Sequence, residues 1–392
     1  MTMALKAQIL PVKSFPLDPW VTTAALTLLV IGLLMVASAS TEIAAKTYGN
    51  PVYLLIKHFV YIVISLVVAT TALMVPIRVW QKADILLLVL CFGLLIAVLV
   101  PGVGHRVNGS TRWISLGFFT LQGSEFVKLF SVVYLSGYLV RCHDQVQTTI
   151  VGFIKPLALV AIMVLLLLEQ PDFGAAVVIM SAAMGMIYLA GVPFKRFLPL
   201  IIVCLAITAA IAQWQPYRLE RLTTFVDPWA HQFDSGYQLT QALIAFGRGE
   251  WLGLGLGNSI QKLFFLPEAH TDFLLSIVAE ELGVLGALVV ILITTCLVIK
   301  GLWIGRAAHI RGYEFHAHLA YGIAFLLGVQ SAINIGVNIG LLPTKGLTLP
   351  LVSYGGNSLI VSCLLVAILL RIDFESRHPE LLATPGAKYR GA

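Results

Sequence analysis

Residues 19–41 read PWVTTAALTLLVIGLLMVASAST, a run with no charged side chain between Asp18 and Glu42. A helix rises about 1.5 Å per residue, so about 20 apolar residues cross the ~30 Å hydrocarbon core of a bilayer. This run is long enough. Working outward from it, charge is also absent between Lys57 and Arg78, Asp84 and Arg106, and Asp172 and Lys195. The same holds between Arg196 and Arg218, Glu281 and Lys300, Glu314 and Lys345, and Lys345 and Arg371. Two further spans are less clean. One, at 121–140, carries Glu125 and Lys128 near one end; the other, at 155–169, is short and ends in Glu169. Ten transmembrane helices are expected, and the fold class is all-α polytopic membrane protein.

Composition supports the same reading. Hydrophobic residues make up 59% of the 392 and charged residues 11%, against roughly 25% charged in soluble domains. A soluble chain could not hide that much apolar surface in one core. The cysteines (Cys91, Cys142, Cys204, Cys296, Cys363) stand singly in or beside apolar runs. With no CxxC pair, neither a disulfide framework nor a zinc site is supported. The net charge of +6 comes from basic residues scattered between the apolar runs, which speaks for topology rather than nucleic acid.

Cytoplasmic loops are enriched in Lys and Arg. With the N-terminus inside, Lys6, Lys13, Arg78, Lys82, Arg141, Lys155, Lys195, Arg196, Lys300, Arg306, Arg311, Arg371, Arg377, Lys388 and Arg390 share the cytoplasmic side. Both termini are therefore expected to be cytoplasmic. Residues 1–18 form an inner N-terminal segment, 19–372 the membrane domain, and 373–392 a polar tail expected to be disordered. Lys6, Lys13 and the Ala37-Ser38-Ala39 string mimic a signal peptide. The apolar run is too long for one, and nine more spans follow.

The unusual chemistry falls on the outer face. Segment 101–123 (PGVGHRVNGSTRWISLGFFTLQG) is polar and punctuated by glycine, and the longest loop, 216–271, carries Arg218, Arg221, Arg248, Lys262, Glu268 and His270. In 266–283, LPEAHTDFLLSIVAEELG, Asp272 is expected in the first turns of a helix, with Ser276 and Glu280 stacked beneath it at i+4 and i+8. Asp272 and His270 could be no more than a helix cap and first-turn acid favoured by the dipole. Arg112, beside Trp113, could be an interfacial anchor or a cation for a lipid-linked pyrophosphate. Glu125 and Lys128 could be an intrahelical pair, or Lys128 a second such cation. Glu169 and Asp172 flank a tight turn, where a capping role competes with cation binding. In INIGVNIGLLPTKGLTLPLVSYGG, 333–356, Asn334 and Asn338 read as interhelical hydrogen-bond formers. Lys345 there is the only charge between Glu314 and Arg371; it could snorkel or face substrate phosphate. Taken on residue types alone, these pieces describe an outer-face site for an anionic lipid.

Several of these strings resemble the SEDS family, which comprises FtsW, RodA and sporulation relatives. The similarity spans about 20–372. GYQLTQALIAFGRGEWLGLGLGNSIQKLFFLPEAHTDF (236–273) and GLLPTKGLTLPLVSYGGNS (340–358) look like the division branch rather than the elongation branch, and NGSTRWISLG and EQPDFG match two further signatures. The resemblance implies a peptidoglycan glycosyltransferase of the inner membrane, active at the division septum with its site facing the periplasm. Its substrate would be lipid II, joined by an inverting displacement with Asp272 of the HTDF motif as general base. Arg112, Lys128, Arg221 and Lys345 are the implied cations, with Glu125, Asp172 and His270 as further substrate-binding residues. A divalent cation, Mg or Mn, is compatible with that chemistry. The implied partners are a class B penicillin-binding protein (the division transpeptidase FtsI), the FtsQ-FtsL-FtsB complex and FtsN. One departure is visible: Gln122-Gly123-Ser124-Glu125 stands where the family carries Gln-Pro-Ser-Glu. A lipid II flippase and a non-catalytic division scaffold are the competing readings.

Overall fold

The computed structural model describes residues 17–107, 110–115, 117, 120–199, 202, 225 and 227–378. Helix α1 (Pro19–Tyr48) shows how the spans are framed. The Asp18 carboxylate caps it by accepting from the backbone N–H of Trp20 and Val21, Pro19 opens it, and Gly49 closes it at φ 68°. Each device satisfies backbone groups that a helix end would otherwise leave unpaired. There follow α2 (Tyr53–Met74), the short α3 (Ile77–Lys82) and α4 (Asp84–Leu99).

After α4 the chain departs from the expected polar loop. A three-stranded antiparallel meander forms from β1 (Gly104–Val107), β2 (Ser110–Ser115) and β3 (Thr120–Gln122). It ends the third span at Leu99, short of the Arg106 at which the charge-free run stops. Helix α5 (Gly123–Arg141) starts directly from β3. Gly123 is its first residue, the one helical position that proline also tolerates, so the departure from Gln-Pro-Ser-Glu leaves the helix start intact.

The chain continues through α6 (His143–Thr148), α7 (Ile150–Glu169) and α8 (Phe173–Leu189). The expected span between Arg196 and Arg218 lies almost wholly outside the described residues. Part of the long outer loop is helical, α9 (Tyr237–Gly249). Helices α10 (Leu274–Ile310), α11 (Glu314–Asn338) and α12 (Gly356–Arg377) complete the bundle, and α12 runs past residue 373, at which the tail was expected to begin.

Six of the described helices (α1, α2, α7, α10, α11 and α12) are long and apolar enough to cross a membrane, and α4 and α8 are shorter apolar helices. Helix α12 is buried almost throughout and packs on α2, α10 and α11. The other main packings are α10 with α11, α4 with α5, α9 with α10, and α8 with α11. Close approach is built on glycine. A Cβ on Gly32 of α1 would lie 2.5 Å from the Val352 carbonyl oxygen, and one on Gly249 of α9 would lie 1.8 Å from that of Ala279 in α10. The apolar faces left outward, such as Ile56, Val60, Val63 and Val67 on α2, suit lipid rather than water.

Candidate active site

A cleft with a volume of about 220 Å³ opens where five segments converge. Strand β2 contributes Arg112 and the α7–α8 turn contributes Pro171 and Asp172. Phe173 and Gly174 begin α8, and the approach to α10 supplies Glu268, Asp272 and Phe273. The α11–α12 loop supplies Thr344, Lys345 and Gly346, and α9 adds Gln238.

Asp272 is not in the first turns of a helix, as the spacing predicts. Residues 267–273 form turns, and α10 begins at Leu274 with Phe273 as its cap. The Glu268 carbonyl accepts from the N–H of Thr271 (3.1 Å) and of Phe273 (3.2 Å), which stops the helix from extending back to Pro267. Asp272 thereby leaves the Ser276–Glu280 face and sits on the cleft wall. A Cβ on Gly346 would come within 2.9 Å of its Oδ2, so the Lys345 loop lies against the carboxyl. Burial pushes the Asp272 carboxyl up to about 7. The neighbouring Glu268 adds to the rise, and the Arg112 guanidinium opposes it. A carboxyl that titrates near neutrality in a cleft is what general acid–base chemistry requires.

Arg112 is fixed from below. Its Nε donates to the Gln170 carbonyl (3.3 Å) and its Nη2 to the Pro171 carbonyl. Lys345 lies over the Phe173 ring, Nζ 4.5 Å from the centroid, an attraction between cation and ring face. Asp172 caps α8 through Ala175 N–H, while its Oδ2 is buried and has no hydrogen-bond partner among the described residues. Glu268 holds φ at 55°, backbone strain that clusters at functional sites, and its carboxylate accepts from Thr271 Oγ1 at 2.7 Å. Gln238 and Glu268 were missed as site residues by sequence reasoning. Nothing about a glutamine at a helix start, or one acid among several in a long loop, marks it from residue type.

The cleft thus gathers Arg112, Asp172, Asp272 and Lys345. It does not gather the rest of the expected set. Glu125 and Lys128 are buried inside the bundle, paired at 2.8 Å, with Lys128 Nζ also donating to Gln330 Oε1 at 2.6 Å. They border a small separate cavity with Leu326, Gln330 and Ser362. His270 turns its ring to Tyr354, centroid to centroid 5.4 Å, and away from the cleft lining. Arg221 lies outside the described residues. Among those residues no group of three His, Cys, Asp or Glu could hold a metal ion.

The family model described as cell cycle protein, FtsW/RodA/SpoVE, matches residues 19–378. The chain belongs to the FtsW/RodA/SpoVE family. It is 52% identical over 381 residues to the probable peptidoglycan glycosyltransferase FtsW of Hahella chejuensis, covering 97% of this chain and 96% of that one. To the probable peptidoglycan glycosyltransferase FtsW of Pseudomonas fluorescens it is 53% identical over 352 residues, covering 90% and 86%. In three dimensions it is similar to a chain from a peptidoglycan synthase complex that coordinates polymerization and crosslinking. The TM-score there is 0.76 at 25% identity, covering 93% of this chain and 99% of that one. Membership in the FtsW/RodA/SpoVE family agrees with the polytopic membrane architecture.

Proposed function

We propose that the chain is a peptidoglycan glycosyltransferase that polymerises lipid II into β-1,4-linked glycan strands for septal wall synthesis, with its cleft open to the periplasm. The observation that carries the reading is Asp272, a partly buried carboxyl on a cleft wall shared with Arg112 and Lys345. The near-full-length relatives named peptidoglycan glycosyltransferase FtsW support it.

The chemistry is one inverting displacement. The ionised Asp272 carboxylate accepts the proton of the acceptor's 4-hydroxyl as that oxygen attacks C1 of the donor sugar. The bond from C1 to the undecaprenyl pyrophosphate breaks, and the leaving group carries away the electron pair. Arg112 and Lys345 face the cleft as fixed positive charge for the departing pyrophosphate, and such preorganised charge is often the largest catalytic term. Gln238 and Asp172 line the same cleft and would hydrogen-bond sugar or peptide groups of the substrate. Among the described residues no three His, Cys, Asp or Glu gather to hold a metal ion, and the step is written through this chain's own side chains. A class B penicillin-binding protein, the transpeptidase FtsI, is the proposed partner, with FtsQ-FtsL-FtsB and FtsN as regulators.

The test is purified protein with its transpeptidase partner and lipid II. Glycan polymer from wild type and none from Asp272→Asn supports the reading. Polymer made equally by the variant removes Asp272 as the base, and lipid II translocation in vesicles without any polymer makes the chain a flippase.

A further inference from the structure

Helix α11 carries Gln330, Asn334 and Asn338 at intervals of four residues, which puts them on one stripe of the helix. All three are buried. Amides inside membrane bundles ordinarily bond across to other helices. These bond to main-chain carbonyls of the two segments that wall the cleft. Asn334 Nδ2 donates to the Asp272 carbonyl (2.8 Å) and to the Leu347 carbonyl (2.6 Å). Asn338 Nδ2 donates to the same Asp272 carbonyl (3.0 Å), and its Oδ1 accepts from the Ser276 N–H (3.1 Å) and Oγ (2.8 Å). One turn further along, Gln330 Nε2 donates to the Thr348 carbonyl (3.0 Å) and its Oε1 accepts from Lys128.

We propose that Asn334 and Asn338 are positioning residues that hold the Asp272 carboxyl and the Lys345 loop in one fixed register, so that base and cation meet the same bound substrate. The proposal rests on Asp272 being the base. Two features go beyond packing. The doubled donors fall on the main chain of the base itself, and one of those amides also grips the loop two residues after Lys345. The same amide therefore sets the distance between the two loops, and a Gly346 Cβ 2.9 Å from Asp272 Oδ2 leaves that distance no slack. The ladder also turns the buried Glu125–Lys128 pair into a support for the α11–α12 loop, although neither residue lines the cleft.

Displacing a reacting group by about 1 Å can cost on the order of 100-fold in rate. In the purified complex with its transpeptidase partner, Asn334→Leu should lower kcat about 10- to 100-fold with KM within about twofold of wild type. The pH at which the rate is half-maximal should also move, because Asp272 shifts relative to Glu268, Arg112, Lys345 and Asp172. Asn334→Gln, which keeps the donors on a longer arm, should recover part of kcat. If Asn334→Leu fails to fold, Asn338→Leu carries the same test with a smaller loss. Wild-type kcat and an unmoved pH profile, with or without a lower melting temperature, would overturn the proposal. If Asp272→Asn still polymerises, the base assignment falls and the ladder's role with it; an inactive Asp272→Asn beside a fully active Asn334→Leu overturns the ladder alone.

Discussion

Asp272 couples function to stability, and the sign of that coupling can be worked out. Its carboxyl is held up at about 7 against an ordinary value of 3.8, chiefly by burial. A rise of that size corresponds to on the order of 4 kcal/mol at full ionisation. Above pH ~7 the folded protein keeps the carboxylate ionised at that cost. As pH falls from ~7 towards ~4 the folded state takes up a proton that the unfolded chain lacks, and the cost disappears. Asp272→Asn should therefore raise the melting temperature at pH ~8, with a gain that shrinks towards pH ~4. A variant no more stable than wild type at the higher pH would contradict the burial argument. Lys345 gives a second test. Lys345→Met keeps the apolar stem over Phe173 and removes the charge, and polymerisation assays should show kcat down roughly 100-fold, the scale of losing one transition-state donor. At this scale the sequence was partly legible. Aspartate in HTDF and a lone lysine in a long uncharged stretch stand out. Gln238 and Glu268 do not, because only the fold brings them to the cleft.

Among the elements, the long α10 shows what residue patterns conceal. It continues through Gly283, which bends it at φ 73°, and a Cβ there would lie 2.3 Å from the Trp251 carbonyl oxygen. Gly283→Ala should destabilise the bundle by about 1–3 kcal/mol or more, read as a lower melting temperature with outer-loop exposure to protease. The kink follows Glu280 and Glu281, both fully buried. Glu280 accepts from the N–H groups of Ile260 and Gln261 and from Ser259 Oγ, and Glu281 pairs with Lys262 at 2.8 Å. These acids pin residues 259–262 to α10. The α5 pair behaves similarly. Lys128→Met leaves Glu125 buried and uncompensated, which should cost about 3–5 kcal/mol, whereas Glu125→Gln with Lys128→Met should be far milder. Comparing the two by thermal denaturation separates a structural pair from a substrate-binding one. Sequence reasoning weighed an intrahelical ion pair against a substrate-binding role for these residues, and the pair is what α5 forms. Burial by the surrounding helices could not be seen from α5 alone. The β1–β3 meander was hidden for a related reason: its strands are short, and their residues look like a polar loop.

For the whole molecule the membrane architecture was the most legible feature, since charge-free runs of sufficient length leave few alternatives to spanning helices. Orientation rests on the distribution of Lys and Arg. A fluorescent reporter fused at the C-terminus should light up in the cytoplasm and a periplasm-only reporter should stay silent; the reverse would invert the topology and put the cleft on the wrong side for lipid II polymerisation. The cleft could not be read from one dimension, because its walls come from residues 112, 172, 272 and 345, which only the folded bundle brings together. The claim that joins these scales is that Asp272 takes the acceptor proton in that cleft. Its most direct measurement is the rate of lipid II polymerisation by the purified complex across neutral pH. If Asp272 is the base, the rate rises through pH about 7 as the carboxyl ionises and then levels, with the limb moved lower in Glu268→Gln, where the neighbouring negative charge is gone. A rate that ignores pH through this range, or falls as pH rises, would contradict it.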